Sequence, residues 1–171
     1  MIRLAQEEDL PILREIERAA GRAFAVIGMV AVAEDEPPSL ERLRQFEQAG
    51  QAWVYTADDD LPVAYLIAEM VDGNVHIEQV SVHPNHAGRG IGRSLIEHVA
   101  NWANDRGAPA LTLTTFSEVA WNGPYYERIG FRFLPDSEVT PGLRAIRAAE
   151  AAHGLDRWPR ACMRRNLRVS A

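Results

Sequence analysis

Val80-Ser81-Val82-His83-Pro84-Asn85-His86-Ala87-Gly88-Arg89-Gly90-Ile91-Gly92-Arg93 is the stretch on which the fold turns. It reads as a strand, then a loop with glycine at alternate positions, then a helix in which Ile91, Leu95, Ile96, Val99 and Trp102 recur at helical spacing. That order builds an anion site from main-chain groups. Successive glycines take up positive φ without steric cost and turn their N–H groups inward. The helix behind them adds unpaired amides and the positive end of its dipole. With Arg89 and Arg93 alongside, the corner suits a phosphate or pyrophosphate. A dinucleotide fingerprint does not fit. It needs Gly-x-Gly-x-x-Gly with an acid about 20 residues later, whereas the spacing here is Gly-x-Gly-x-Gly and Ala108–Leu113 contains no acid.

Working outward, Ala52–Ala57, Pro62–Val71 and Val75–Val82 read as strands. An acidic turn, Asp58-Asp59-Asp60, and a hairpin turn, Asp72-Gly73-Asn74, separate them. Toward the N-terminus a helix is expected from Glu8 to Ala20, with Leu10, Leu13, Ile16 and Ala20 on one face. Ser39 caps a second helix ending near Gly50, and the stretch around Phe24–Val32 has no decisive period. Downstream, the long helix stops at Gly107, Ala110–Phe116 is a strand, Trp121–Ile129 a short helix and Phe131–Leu134 a short strand. Thr140 as N-cap with Pro141 behind it starts a helix that ends by Gly154, and Arg160–Val169 is the final strand. The sum is an α/β (α+β) fold: one domain over residues 1–171, with a mixed, mostly antiparallel sheet flanked by helices.

Composition narrows the function. At 171 residues with 47% hydrophobic and 25% charged, the chain can bury a core without staples. Acids outnumber bases 24 to 18, for a net charge of −6, so nucleic acid is not an expected partner. Every basic residue is arginine. Without lysine there is no Walker phosphate loop and no Schiff base. Cys162 is the single cysteine, which rules out an internal disulfide and a cysteine-rich zinc site. The polar Met1–Leu10 is not a signal peptide and no apolar run is long enough to span a membrane, so a cytoplasmic address is expected.

Ala87-Gly88-Arg89-Gly90-Ile91-Gly92 resembles the Arg/Gln-x-x-Gly-x-Gly/Ala signature of the GNAT superfamily of acetyl-CoA-dependent N-acetyltransferases, with Ala87 in place of the first long side chain. Trp121-Asn122-Gly123-Pro124-Tyr125-Tyr126-Glu127-Arg128-Ile129-Gly130-Phe131 is similar to the same family's Tyr-Glu-x-x-Gly-Phe segment. The resemblance implies acetyl-CoA as co-substrate and no metal. It implies that backbone groups of Val80, Ser81 and Val82 pair with the pantetheine arm. Amides of Gly88, Arg89, Gly90, Ile91 and Gly92, with Arg93, would take the pyrophosphate. Asn122 would bond the pantetheine or orient the thioester, and Tyr126 would be the general acid.

The chemistry needs a neutral amine, donors for the oxyanion and a proton for the leaving thiolate. A phenol suits the last task. For the base, Glu78 on the strand before the loop is the first candidate, with a water held by Gln79 and the imidazole of His76 as alternatives. Alternation puts Glu78 on one face with His76, Val80 and Val82, which makes it a poor base if that face is core. His83 and His86 read as loop polar groups, Cys162 as a packed thiol, and Trp53, Trp102, Trp121 and Trp158 as core or core-flanking rings. The arginines of Arg157–Arg168 are either a solvated strand face or the lining of an anionic partner site. The expected acceptor is an amine of a small molecule or peptide, with Asp136–Trp158 as a wall of its pocket. An edge strand near the C-terminus would allow a homodimer. The rival reading from another class is a catalytically silent acyl-CoA-binding module.

Overall fold

In the computed structural model, which describes residues 1–168, hydrogen bonds order seven strands as β1-β2-β3-β4-β5-β7-β6. They are β1 (Ile2–Leu4), β2 (Ala52–Thr56), β3 (Pro62–Val71), β4 (Asn74–Val82), β5 (Ala110–Phe116), β6 (Arg132–Phe133) and β7 (Arg160–Asn166). β1–β2, β2–β3, β5–β7 and β6–β7 are antiparallel and β4–β5 is parallel. The expected mixed, mostly antiparallel sheet with flanking helices is the observed one. Val169, the last residue expected in the final strand, lies outside the described residues.

The described residues form two compact units: Met1–Ala68 with Gln79–Val99, and Glu69–Glu78 with residues 100–168. The first unit carries α1 (Leu10–Gly21), α2 (Ala23–Val26), α3 (Val30–Ala33), α4 (Leu40–Gln48) and the start of α5 (Ile91–Asp105). Leu10, Leu13 and Ile16, each three apart, put one face of α1 into a core shared with Leu43, Phe46, Val54, Tyr65 and Ile67. Ser39 caps α4 as expected, its hydroxyl accepting from the Arg42 amide at 3.1 Å. β1 has no counterpart in the sequence reading. It is held by pairing Ile2–Tyr55, Arg3–Val54 and Leu4–Trp53.

Arg3 on β1 also grips Asp9, donating from both terminal nitrogens at 2.7 and 3.1 Å, while the Gln6 amide donates to Asp9 at 2.8 Å. Burial pushes the Asp9 carboxyl up, but the hydrogen bonds and charge of Arg3 and the Gln6 amide outweigh it and leave the group below the usual carboxylate range. A depressed carboxyl stabilises the fold above its unfolded value, about 3.9, and that contribution disappears as pH falls through the folded value. Asp9→Asn should therefore cost about 1.5–3 kcal/mol at neutral pH. In thermal melts from pH 7 to 2, the gap between the wild type and this variant should close below about pH 4.

The second unit carries α6 (Gly123–Arg128) and α7 (Pro141–Ala152). β7 pairs with β5 over its whole length, from Arg160–Phe116 to Asn166–Ala110. It is therefore an interior strand, and the edge expected near the C-terminus is the two-residue β6, not the final strand. Thr140 occupies the N-cap position of α7, yet its hydroxyl is buried with no hydrogen-bond partner. The cap comes instead from the hairpin turn, where Asp72 accepts from the Gly142 amide at 2.8 Å. A Cβ on Gly142 would come within 2.6 Å of Asp72 Oδ2 and Val71 Cγ1, so glycine permits this docking. Asp72→Ala should lower stability in urea by about 1 kcal/mol, the usual worth of an N-cap. No described helix is long and apolar enough to cross a membrane.

Candidate active site

β4 leads directly into the glycine loop. The His83 amide bonds the Val63 carbonyl at 2.9 Å, a short 3-10 turn runs from Pro84 to His86, and α5 begins at Ile91. Gly88 and Gly90 have φ of +78° and +74°, and nothing lies within 4 Å of where a Cβ would stand on either. That open space is what a cradle for a bulky anion requires. Gly92 already sits in the first turn of α5 at an ordinary φ, so it contributes an unpaired helix amide, not a turn. Ile91 is buried and pins the corner, while Gly88, Arg89, Gly90 and Arg93 are exposed. Arg89 and Arg93 form no ion pair among the described residues. The corner thus offers amides, a helix dipole and two guanidiniums to one anion.

Upstream, β4 is covered on both faces from Asn74 to Ile77 and then opens. His76 is 1% exposed, with Nδ1 2.9 Å from the Thr112 hydroxyl. Burial brings its pKa down to about 4, against a small opposing pull from Glu150. It is a neutral core histidine at pH 7. Glu78 shares its parity yet is exposed, because the cover over that face ends between them. The Gln79 amide donates to the buried Ser81 hydroxyl at 2.8 Å, and Val80 and Val82 are half-buried. β4 and β5 pair at Val75–Leu111 and His76–Thr112.

In the second unit, α6 starts two residues later than the sequence reading placed it. Asn122 lies at its N-cap with φ −116° and ψ −112°, half-buried, its side chain capping nothing and its carbonyl accepting from the Tyr126 amide at 2.9 Å. The Tyr126 ring packs edge-on against Tyr125 and Phe131, with centroids 5.4 and 5.7 Å away. Burial, with a lesser contribution from Tyr125, raises the phenol well above its ordinary pKa, so it is held protonated. Asn122 and Tyr126 are thereby brought together on one short helix.

Other expectations divide. His83 and His86 stack edge-to-face at 6.5 Å, with His83 accepting from the Asn85 amide, and no metal-holding group of His, Cys, Asp or Glu occurs among the described residues. Cys162 is buried, and burial pushes its thiol up. Trp53 is a core ring, but Trp121 is 41% exposed, contrary to the expectation that it packs. It stands in the turn ahead of α6.

The profile of the acetyltransferase (GNAT) family matches residues 11–131, which include the glycine corner and both Asn122 and Tyr126. The chain belongs to the GNAT acetyltransferase family. It is 40% identical over 80 residues to streptothricin acetyltransferase of Streptomyces lavendulae, covering 46% of this chain and 40% of that protein. It is 27% identical over 99 residues to the peptidyl-lysine N-acetyltransferase YjaB of Salmonella typhimurium, covering 58% and 62%. These matches span less than two thirds of either relative. The structure of PaiA N-acetyltransferase from Thermoplasma acidophilum, in complex with coenzyme A, superposes with a TM-score of 0.72 at 17% identity, over 97% of this chain and 98% of that one. At that identity the likeness establishes the shared fold.

Proposed function

We propose that this chain is an N-acetyltransferase that moves the acetyl group of acetyl-CoA to an amine of a small molecule or peptide by direct attack in a ternary complex. The observation that carries the reading is the strand–glycine–helix corner, with Gly88 and Gly90 at positive φ and open space where their side chains would be. Bound there, acetyl-CoA supplies an activated thioester carbonyl. Amides of Gly88 to Gly92, with Arg89 and Arg93, hold the pyrophosphate, and the backbone of Val80, Ser81 and Val82 aligns the pantetheine arm. Asn122 orients the thioester end.

The acceptor nitrogen attacks the thioester carbon, the C–S bond breaks, and Tyr126 gives its proton to the departing sulfur. The surplus proton on nitrogen leaves to a base. Its exposure favours Glu78 for that task, or a water held beside it by Gln79. His76 is enclosed and bonded to Thr112, which argues against it. Relatives named for acetylating streptothricin and peptidyl-lysine support an amine acceptor.

The test is to incubate the protein and acetyl-CoA with free lysine, a lysine peptide and aliphatic diamines, and to follow free coenzyme A with a thiol reagent. Release that depends on the amine supports the reading. Tight coenzyme A binding with no release for any amine would mean a silent binding module.

A further inference from the structure

In the second unit, α7 and the start of β7 line an open pocket of about 430 Å³, partly within the Asp136–Trp158 segment that the sequence reading makes a wall of the acceptor site. That volume is in the range of small-molecule sites. Three arginines, Arg144, Arg147 and Arg160, are among its lining residues, against one acidic residue, Asp136. Arg160 is the buried member. Its side chain is 7% exposed, its guanidinium lies 4.4 Å from the Phe116 ring centroid, and it donates to Glu150 at 2.9 and 3.3 Å. Arg147 is held by Glu150 at 3.0 Å and by Asp156 at 2.7 Å. Neither of those two acids lines the cavity. They fix the guanidiniums of Arg147 and Arg160.

Each guanidinium has five N–H donors in one plane. Nη1 of Arg160 and Nε of both Arg144 and Arg147 make no hydrogen bond among the described residues. Arg144 is bonded to Asp136, whose side chain is 90% exposed. Exposed pairs of that kind contribute little, so an incoming anion can displace the carboxylate. Leu134, Val139 and Cys162 make the apolar part of the wall. Planar, fixed guanidiniums beside an apolar surface are the usual recognition set for carboxylate or phosphate.

We propose that this cavity binds a small organic anion, a carboxylate or phosphate group on a short apolar body, with Arg144, Arg147 and Arg160 as its donors. The assignment does not depend on acetyl transfer, and it gives an anion site to a segment, Asp136–Trp158, that the sequence reading makes a wall of the acceptor pocket.

Cys162 is the only cysteine and lines the cavity, so its alkylation by neutral N-ethylmaleimide reads this place alone. Phenyl phosphate, butyrate and inorganic phosphate are compared at constant ionic strength, with butan-1-ol as the uncharged control. Either organic anion should slow alkylation by the factor 1 + [L]/Kd, about tenfold at ten times Kd, and butan-1-ol should not. Which anion protects decides between phosphate and carboxylate. Arg144→Gln, at a half-exposed position, should restore the unprotected rate, whereas Gly90→Val should leave protection intact. The Nε–Hε resonances of the three arginines should move with the same anion, and they decide alone if the free thiol proves inert. Unmoved resonances together with equal alkylation rates would overturn the proposal. So would protection that survives in Arg144→Gln.

Discussion

Gly90→Val should give a folded chain that no longer binds coenzyme A. At φ +74° a β-branched residue is strained by about 1–3 kcal/mol. The strain is confined to one exposed loop position, and no neighbour lies within 4 Å of the new Cβ, so the fold survives. The space the side chain enters is the space proposed for the pyrophosphate. Relief of strain turns the Gly90 amide out of the cradle, and failure to turn leaves the isopropyl group in the anion's place. Either way the affinity read by calorimetry should fall at least about a hundredfold, or 2.8 kcal/mol. Retained affinity would put the phosphates elsewhere and remove the basis for every role assigned above in acetyl transfer.

Tyr126→Phe carries the second large effect. The substitution keeps the ring and its contacts with Tyr125 and Phe131, so folding and coenzyme A affinity should hardly change. What it deletes is one proton. Positioned acids contribute about 10²–10⁴ in rate, so kcat should fall at least about tenfold with KM little altered. Burial raises the phenol pKa, so the protonated form persists beyond the ordinary value of about 10. Loss of this acid therefore cannot lower wild-type kcat between pH 8 and about 10. An unchanged kcat in Tyr126→Phe would make Tyr126 a packing residue.

The parts of the fold written locally were readable. The left-handed positions at Gly88 and Gly90, the Asp72-Gly73 turn with φ of +53° and +82°, and the Ser39 cap each depend on residues within a few positions of one another. What depends on distant partners was not. Ile2-Arg3-Leu4 alternates over too few residues to read as a strand and is extended because Trp53–Tyr55 pairs with it. Thr140 looks like a cap, but the group that does the capping is Asp72, 70 residues from Gly142. His76 and Glu78 have the same parity and opposite exposure, because cover over a strand is set by what packs on it. The arginine-rich C-terminal stretch is legible as such, but only Arg160 of it lines the pocket, and that needs α7 folded across from it.

The pairing of β7 along all of β5 bears on how the polypeptide emerges from the ribosome. β5 is synthesised well before its antiparallel neighbour, with α6, β6 and α7 made in between. During that interval the nascent chain carries Ala110–Phe116 with a bare hydrogen-bonding edge, a surface on which other extended segments can add. Chaperone demand should therefore peak while the segment between the two strands is being translated, and silent codon changes that slow elongation there should lower soluble yield without altering a single residue.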